Sequence, residues 1–513
     1  MNLLAPTITT PSVTAPLFLT DCYKLGHKAL YPQGTTTVYS NYTNRASRVD
    51  GVEHVVHFGL QAFIQSYCVE AFAPFFAADE DEAIAEYEQK LASVLGPEHG
   101  IDTSHIRELH QLGFLPLVFR SLPEGTRVPL RVPSFTVENT LPGFFWLTNY
   151  IETVLSAEIW QASTSATTAD AYRRLLDAAA ERTGGDTAFV NWQLHDFSFR
   201  GMGGAHAAAM SGAGHLLSFT GSDSLATIDW VNRYYPSQPD SQNGQILGSI
   251  PATEHSVMCA GIAHEDELAT FSRILDQHPA GNVSVVSDTM DFWSVLGEIL
   301  PALKDRIMER EGKLVIRPDS GDPADIVCGT RSNPGILQAD GAKSPETDPA
   351  YFGAVQLLWN EFGGTINAAG FKELDAHIGL IYGDSITPAR AKDITERLES
   401  LGFAASNIVF GVGSFTYQYV TRDTFSSAVK ATWAQIDGEG YDLLKDPVTD
   451  SGMKKSAIGR LAVKRDSQGE LYLVERASKQ DEAESLLEPV WMDGEFLKVQ
   501  SFKDVRAVLG NIA

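Results

Sequence analysis

Aspartates recur where short apolar runs of this chain end: HLLSFTGSD stops at Asp223, VSVVSD at Asp288, KLVIRPDSGD passes Arg317 to reach Asp319, and IGLIYGD stops at Asp384. Between the first two lies SIPATEHS, with His255 beside Glu254. Clustered carboxylates repel one another and raise each other's pKa, so they need a cation or ligand hydroxyls between them. Magnesium with a sugar diphosphate would supply both, because Mg²⁺ binds through one or two carboxylates together with substrate phosphates. Arg317, Arg200, Arg422 and Lys430 could hold phosphate oxygens, and backbone N–H groups of GDS and GVGS could cradle a terminal phosphate. Each residue also has an ordinary structural use. Aspartate at a strand end is commonly a helix N-cap, a histidine beside a glutamate is commonly a hydrogen-bonded structural group, Arg317 could simply pair with Asp319, and FGVGS could be a tight turn. What favours a site is that all of them fall at expected strand ends.

Strands that end on one rim deliver their terminal side chains to one bowl, as in a β/α barrel. From about 185 to 420 the chain alternates short β-branched runs with helical patterns, the signature of parallel β/α units. IGLIYGDSITPARAKDITERLESLGF is one such unit: a strand, Thr387 as N-cap, Pro388 in the first turn, Ile394, Leu398 and Leu401 on one face, and Gly402 after the helix. The strand NIVFGVG follows. Near the C-terminus, GRLAVKRDSQGELYLVER and EPVWMDGEFLKVQSF read as antiparallel hairpins. The N-terminal third mixes extended TTTVYSNYTNR with the acidic helix DEDEAIAEYEQKLASVLG, whose Ile84, Tyr87, Leu91 and Leu95 should face inward. The expected fold class is α/β: an irregular barrel over residues 161–423 beside a discontinuous mixed α+β domain, residues 1–160 and 424–513, with antiparallel strands built from both chain ends. The polar, Pro/Gly-rich stretch at about 329–350 should be a loop inserted in the barrel.

The 513 residues are 43% hydrophobic, enough for a large core. The formal net charge of -26 argues against a general nucleic-acid or anionic-membrane binder. Cys22, Cys68, Cys259 and Cys328 are far apart and form no C-x-x-C pair, which fits a reducing cytoplasm. The first residues lack the charged start of a secretion signal, and LPGFFWLTNYIETVLSAEIW, interrupted by Asn149, Glu152 and Glu158, suits a buried amphipathic helix better than a membrane span.

The runs TDCYKLGHKALYP, DFSFRG, TGSDS, SIPATEHS, SVVSD, IRPDSGDP, GDS, VTRD and LLKDPVTD, in this order, resemble the nicotinamide phosphoribosyltransferase family from about Thr20 to about Arg460. The resemblance implies a type II phosphoribosyltransferase barrel that converts nicotinamide and phosphoribosyl pyrophosphate to nicotinamide mononucleotide and pyrophosphate, as a homodimer with shared active sites. It implies that Phe197, with Tyr23 of the partner subunit, sandwiches the pyridine ring, and that Asp223 accepts a hydrogen bond from the carboxamide. A carboxylate there should repel nicotinate. It places Arg200 and Arg317 near the ring and nucleotide phosphates, Gly383, Asp384, Gly413 and Ser414 on the 5′-phosphate, and Ser249, Ser284 and Pro318 along the substrate. Arg45, Arg422, Lys430 and Lys445 would surround the diphosphate, joined there by Arg200, His255 and Arg317. Asp288 and Asp319 would hold the ribose hydroxyls and Mg²⁺, and His255 would take a phosphoryl group from ATP as the coupled energy source.

The chain departs from the family pattern at Ser414 and Phe415, which replace glycines of the phosphate loop, and at Ser198 and Phe199, where glycine and tyrosine are more usual. Three other readings compete: a nicotinate phosphoribosyltransferase, disfavoured by Asp223; an idle nucleotide-binding barrel, which has no physical need for clustered like charges; and a sugar-phosphate aldolase, which would want a Schiff-base lysine inside a strand.

Overall fold

In a computed structural model, residues 12–237, 244–333, 348–446 and 455–512 are described. The chain forms two compact units, one comprising Met1–Thr164, Val231–Asn243 and Thr421–Leu509, the other Ser165–Trp230, Gly244–Val420 and Gly510–Ala513.

The second unit is built on five parallel strands: β1 Leu194–Asp196, β2 Val283–Val286, β3 Leu314–Arg317, β4 Ile378–Tyr382 and β5 Val409–Val412, in the spatial order β1-β5-β4-β3-β2. Single parallel bridges, Asp196 to Ser222, Gly221 to Gly248 and Ala252 to Ser284, carry the wall from β1 back round to β2 and close it into an irregular barrel. Alternation along the strands explains both the core and the site, since successive side chains of a strand point to opposite faces. Leu194, Val283, Val285, Leu314, Ile316, Tyr382, Phe410 and Val412 turn outward into the core beneath the helices. His195, Ser284, Val315, Arg317, Gly379, Ile381 and Val409 turn inward and line the lumen.

The β/α unit after β4 forms as its sequence predicts. Its helix spans Pro388–Ser400, the Thr387 hydroxyl accepts from Arg390 N at 3.3 Å, Ile394 and Leu398 are buried, and Gly402 is left-handed with φ +78°. HLLSFTGSD does not form a strand. His215 ends the helix Ala205–His215, Leu216 and Leu217 are buried in a turn, and only Gly221 and Ser222 bridge to neighbours. A short apolar run cannot by itself distinguish a buried strand from a buried helix end. Most of the expected inserted loop, residues 334–347, lies outside the described residues; its flanks are a turn at Thr330–Ser332 and a helix at Pro349–Phe352.

The first unit carries a seven-stranded antiparallel sheet drawn from distant parts of the chain, in the order Glu439–Asp442, Ser427–Ile436, Thr35–Asn44, Pro133–Asn139, Leu117–Ser121, Glu488–Met492, Glu495–Phe496. Both expected hairpins are present, Leu461–Arg465 with Leu471–Glu475 and Glu488–Met492 with Glu495–Phe496. The acidic helix runs Glu80–Leu95, N-capped by the Asp79 carboxylate, with Ile84, Tyr87 and Leu91 buried. Leu95 does not face inward: in the last turn it is 40% exposed. The 141–160 stretch forms a turn at Pro142–Phe144, a short helix at Leu147–Tyr150 and the start of the helix Glu152–Thr183. Among the described residues no helix is long and apolar enough to cross a membrane.

Candidate active site

The carboxyl ends of β2, β3 and β4 bring the expected acids together. β2 runs into Ser287 and Asp288, β3 into Pro318 and Asp319, β4 into Gly383 and Asp384. One oxygen of Asp288, Oδ2, accepts from the Asp319 N–H at 2.9 Å and from the Ser320 hydroxyl at 2.7 Å. The other, Oδ1, is buried and accepts no hydrogen bond among the described residues; His255 Nε2 stands 3.4 Å from it. The Asp319 carboxyl is pushed above its ordinary range, first by burial and then by the charges of Asp288 and Asp384, against the opposing pull of Arg317 and His255. The carboxylate beside His255, which opens the helix His255–His264, is thus Asp288 at the end of β2, while its chain neighbour Glu254 is engaged by the Ser256 hydroxyl.

No group of three or more His, Cys, Asp or Glu side chains suited to a metal occurs among the described residues. Asp288, with an unused buried oxygen, and Asp319, held against its charge, nevertheless fit a Mg²⁺ that takes one or two carboxylates and completes its shell with water and substrate phosphate.

Beside the acids lies a slot lined by Phe197, Asp223 and Arg317. Phe197 follows β1, its N–H donating to Val412 O at 2.8 Å. The Arg317 guanidinium sits 5.9 Å from the Phe197 ring centroid and donates to Thr253 O at 3.1 Å. Gly411 is required here, because a Cβ would lie 2.8 Å from both the Phe197 ring and the Gly383 Cα. Asp223 Oδ1 receives two hydrogen bonds, from His195 Nε2 at 2.9 Å and the Ser249 hydroxyl at 2.5 Å. Partial burial would raise the Asp223 carboxyl, but these donors and the charge of Arg317 hold it below its ordinary range. His195, Phe197, Asp223, Ser249, Ser284 and Arg317 all line one lumen cavity of about 850 Å³, a size suited to a small-molecule ligand.

Around this slot, Gly413 and Ser414 follow β5, and Arg200 stands exposed on the turn Phe199–Gly201, where Gly201 packs on Ser414. Ser385, beside Gly383 and Asp384, adopts φ +54°, with its carbonyl accepting from Arg390 at 2.5 Å. The remaining expected residues lie in the first unit. Tyr23 is 66% exposed on the turn Cys22–Leu30. Lys430 is pushed below the usual lysine range by burial and by the like charges of Arg45, Lys445 and Arg422, with Glu152 opposing from 3.6 Å. Arg45, Lys445 and Arg422 are thus close enough to Lys430 to form a cationic patch suited to an anion.

His195 is not among the residues that the sequence alone singles out. Its signal was strand alternation, two positions before Phe197 on the same face. Nor is Asp196 singled out: fully buried, it accepts from Ser198 N at 2.8 Å and from the Ser224 hydroxyl at 2.8 Å, joining the turns that carry Phe197 and Asp223.

The model of the nicotinate phosphoribosyltransferase family matches residues 192–494, and that of the nicotinamide phosphoribosyltransferase N-terminal domain matches residues 16–86. The chain is 49% identical over 504 residues to a nicotinamide phosphoribosyltransferase of Acinetobacter baylyi, covering 96% of each chain. It is 37% identical over 462 residues to one from Mycoplasma pneumoniae, covering 86% of this chain and 94% of that one. A solved structure of a nicotinate-nucleotide pyrophosphorylase from Pyrococcus furiosus shares the fold, with a TM-score of 0.57 at 16% identity, over 99% of this chain and 97% of the other.

Proposed function

Because the chain belongs to the nicotinate and nicotinamide phosphoribosyltransferase family, we propose that it transfers the phosphoribosyl group of phosphoribosyl pyrophosphate to nicotinamide, giving nicotinamide mononucleotide and pyrophosphate in NAD salvage. The observation that carries the choice of base is Asp223, an ionised carboxylate on the lumen wall beside Phe197. It accepts the carboxamide N–H and repels a carboxylate in the same place; two such charges about 4 Å apart repel by up to about 4 kcal/mol near a protein surface.

The pyridine stacks on Phe197, with Tyr23 of the partner subunit on its other face. Backbone N–H groups at Gly383–Asp384 and Gly413–Ser414 receive the 5′-phosphate. Arg317 and Arg200 hold the diphosphate by charge-assisted hydrogen bonds; the family resemblance assigns the same ligand to Arg45, Arg422, Lys430 and Lys445, some of them acting across the dimer interface. As the bond from the anomeric carbon to the diphosphate oxygen breaks, Asp288 and Asp319 face the growing positive charge on the sugar, and the ring nitrogen of nicotinamide closes the new bond. Asp288 and Asp319 would hold a Mg²⁺, which would supply charge neutralisation for the departing diphosphate.

His255 supplies the coupling to ATP. Its imidazole, 51% exposed and backed by Asp288 at 3.4 Å, attacks the γ-phosphate and ADP departs; water later cleaves the phosphohistidine, drawing the reaction toward mononucleotide. The working form is a cytoplasmic homodimer, a location supported by the four free cysteines.

The test is product formation from phosphoribosyl pyrophosphate and Mg²⁺ with nicotinamide or nicotinate, each with and without ATP. Mononucleotide from the amide, increased by ATP, is expected. Preference for the acid would refute the role of Asp223, no response to ATP would refute that of His255, and no product from either base would leave an idle nucleotide-binding barrel.

A further inference from the structure

The two oxygens of Asp223 are not equivalent. His195 Nε2 and the Ser249 hydroxyl both bond Oδ1, at 2.9 Å and 2.5 Å, leaving Oδ2 without a hydrogen bond from the described residues. An ionised carboxylate only accepts, so in this contact the proton resides on His195 Nε2 and the Ser249 hydrogen points at Asp223. The orientation of His195 is itself fixed. One ring face packs on Phe197, with centroids 4.5 Å apart, and the Nδ1 edge lies so close to Gly221 that a Cβ there would stand 2.8 Å away. The Nε2 edge is therefore turned to Asp223. The three residues come from three separate segments of the barrel wall: β1, the turn at Gly221–Ser222 and the stretch bridged at Gly248.

We propose that His195 and Ser249 form the specificity-determining pair of the ring site: by occupying Oδ1 with two donors they fix the rotation of Asp223 and keep it an acceptor, so that Oδ2 takes a ring substituent that donates and refuses one that brings a negative charge. This rests on the nicotinamide reading above and names the residues that enforce it. The charged groups facing His195 are Asp223 and, across the Phe197 ring, Arg317. Without the two donors, Asp223 would feel partial burial with only Arg317 to offset it, and a protonated Asp223 could donate to the carboxylate of nicotinate. Chain specificity for amide over acid would then depend on two neutral-looking neighbours as much as on the aspartate.

The experiment compares wild type, Ser249→Ala, His195→Leu, the double variant and His195→Gln, whose side-chain amide offers an N–H near the imidazole Nε2 position. Steady-state kcat and KM are measured for nicotinamide and nicotinate across a pH series, with the KM for phosphoribosyl pyrophosphate as a reference for the rest of the site. In the double variant the nicotinamide KM should rise about ten- to a hundredfold, as expected for two lost hydrogen bonds to a charged acceptor. The ratio of amide to acid efficiency should fall at least tenfold, most at the acid end of the series, while kcat and the phosphoribosyl pyrophosphate KM change little. His195→Gln should recover most of the ratio. An unchanged ratio would overturn the proposal, and so would equal losses for both bases, which is what a merely structural role predicts. A wild-type enzyme that itself prefers nicotinate would refute the underlying nicotinamide reading before any variant is compared.

Discussion

Replacing Asp288 by asparagine separates its charge from its packing. The side chain is 5% exposed, and its two oxygens have different work: Oδ2 accepts from Asp319 N and Ser320 Oγ, while Oδ1 faces His255 Nε2 at 3.4 Å without accepting a hydrogen bond. An asparagine can keep its carbonyl oxygen where Oδ2 stands, retaining both accepted bonds, and lay its amide in the place of Oδ1. Stability should therefore change by no more than about 1 kcal/mol. Alanine loses both acceptor bonds to a charged group and should destabilise by about 2–4 kcal/mol. Activity should behave otherwise. Loss of one preorganised charge beside the reacting centre typically costs about 10²–10³ in kcat, or about 2.7–4 kcal/mol, and both substitutions remove it. The assay is kcat at saturating nicotinamide, phosphoribosyl pyrophosphate and Mg²⁺, set beside thermal unfolding of the same preparations. A kcat for Asp288→Asn within threefold of wild type would refute the electrostatic role, and an asparagine variant that melts with the alanine variant would show that Asp288 acts as a structural hinge pin for the Asp319 turn.

Asp319 should show the opposite balance. Its folded-state carboxyl lies above the ordinary value, so the folded state binds the proton more tightly than the unfolded one, and its contribution to stability is lost as pH rises through that interval; Asp319→Asn should raise the melting temperature at neutral pH and abolish turnover, and a lower melting temperature would contradict this. Gly411→Ala should displace the Phe197 ring, raising the nicotinamide KM about tenfold and destabilising by about 1–3 kcal/mol; an unchanged KM would mean that the ring site adapts. Mixing inactive Tyr23→Ala and Asp288→Ala chains should restore part of the activity if the partner's Tyr23 completes the site, and the absence of recovery would count against shared sites.

Most of the barrel was legible because strand ends and polar turns are local signals. The unit from Ile378 to Gly402 needed only a β-branched run, a capping threonine, a proline and a glycine. The staves at Gly221–Ser222 and Gly248–Ala252 were harder to read, since they are held by single bridges whose partners are distant in the chain. That is why HLLSFTGSD resembled a strand yet ends a helix, while Asp223 still reaches the rim. The histidine at 255 was visible, but its carboxylate was not: Glu254 is adjacent in sequence, whereas Asp288 arrives from the end of β2. His195 escaped because its significance lies in one hydrogen bond to a residue 28 positions away. Leu95 kept the helical period but fell in the last turn, beyond the core.

The alternation of the barrel strands has an evolutionary consequence. In β3 one face packs in the core and the other lines the lumen, so Ile316 answers to stability while its neighbours Val315 and Arg317 answer to chemistry. Selection can therefore retune the lumen with little interference from folding. A lineage of such barrels is free to drift from one pyridine substrate to another by exchanging a few inward side chains, while the outward residues remain under a separate constraint of packing.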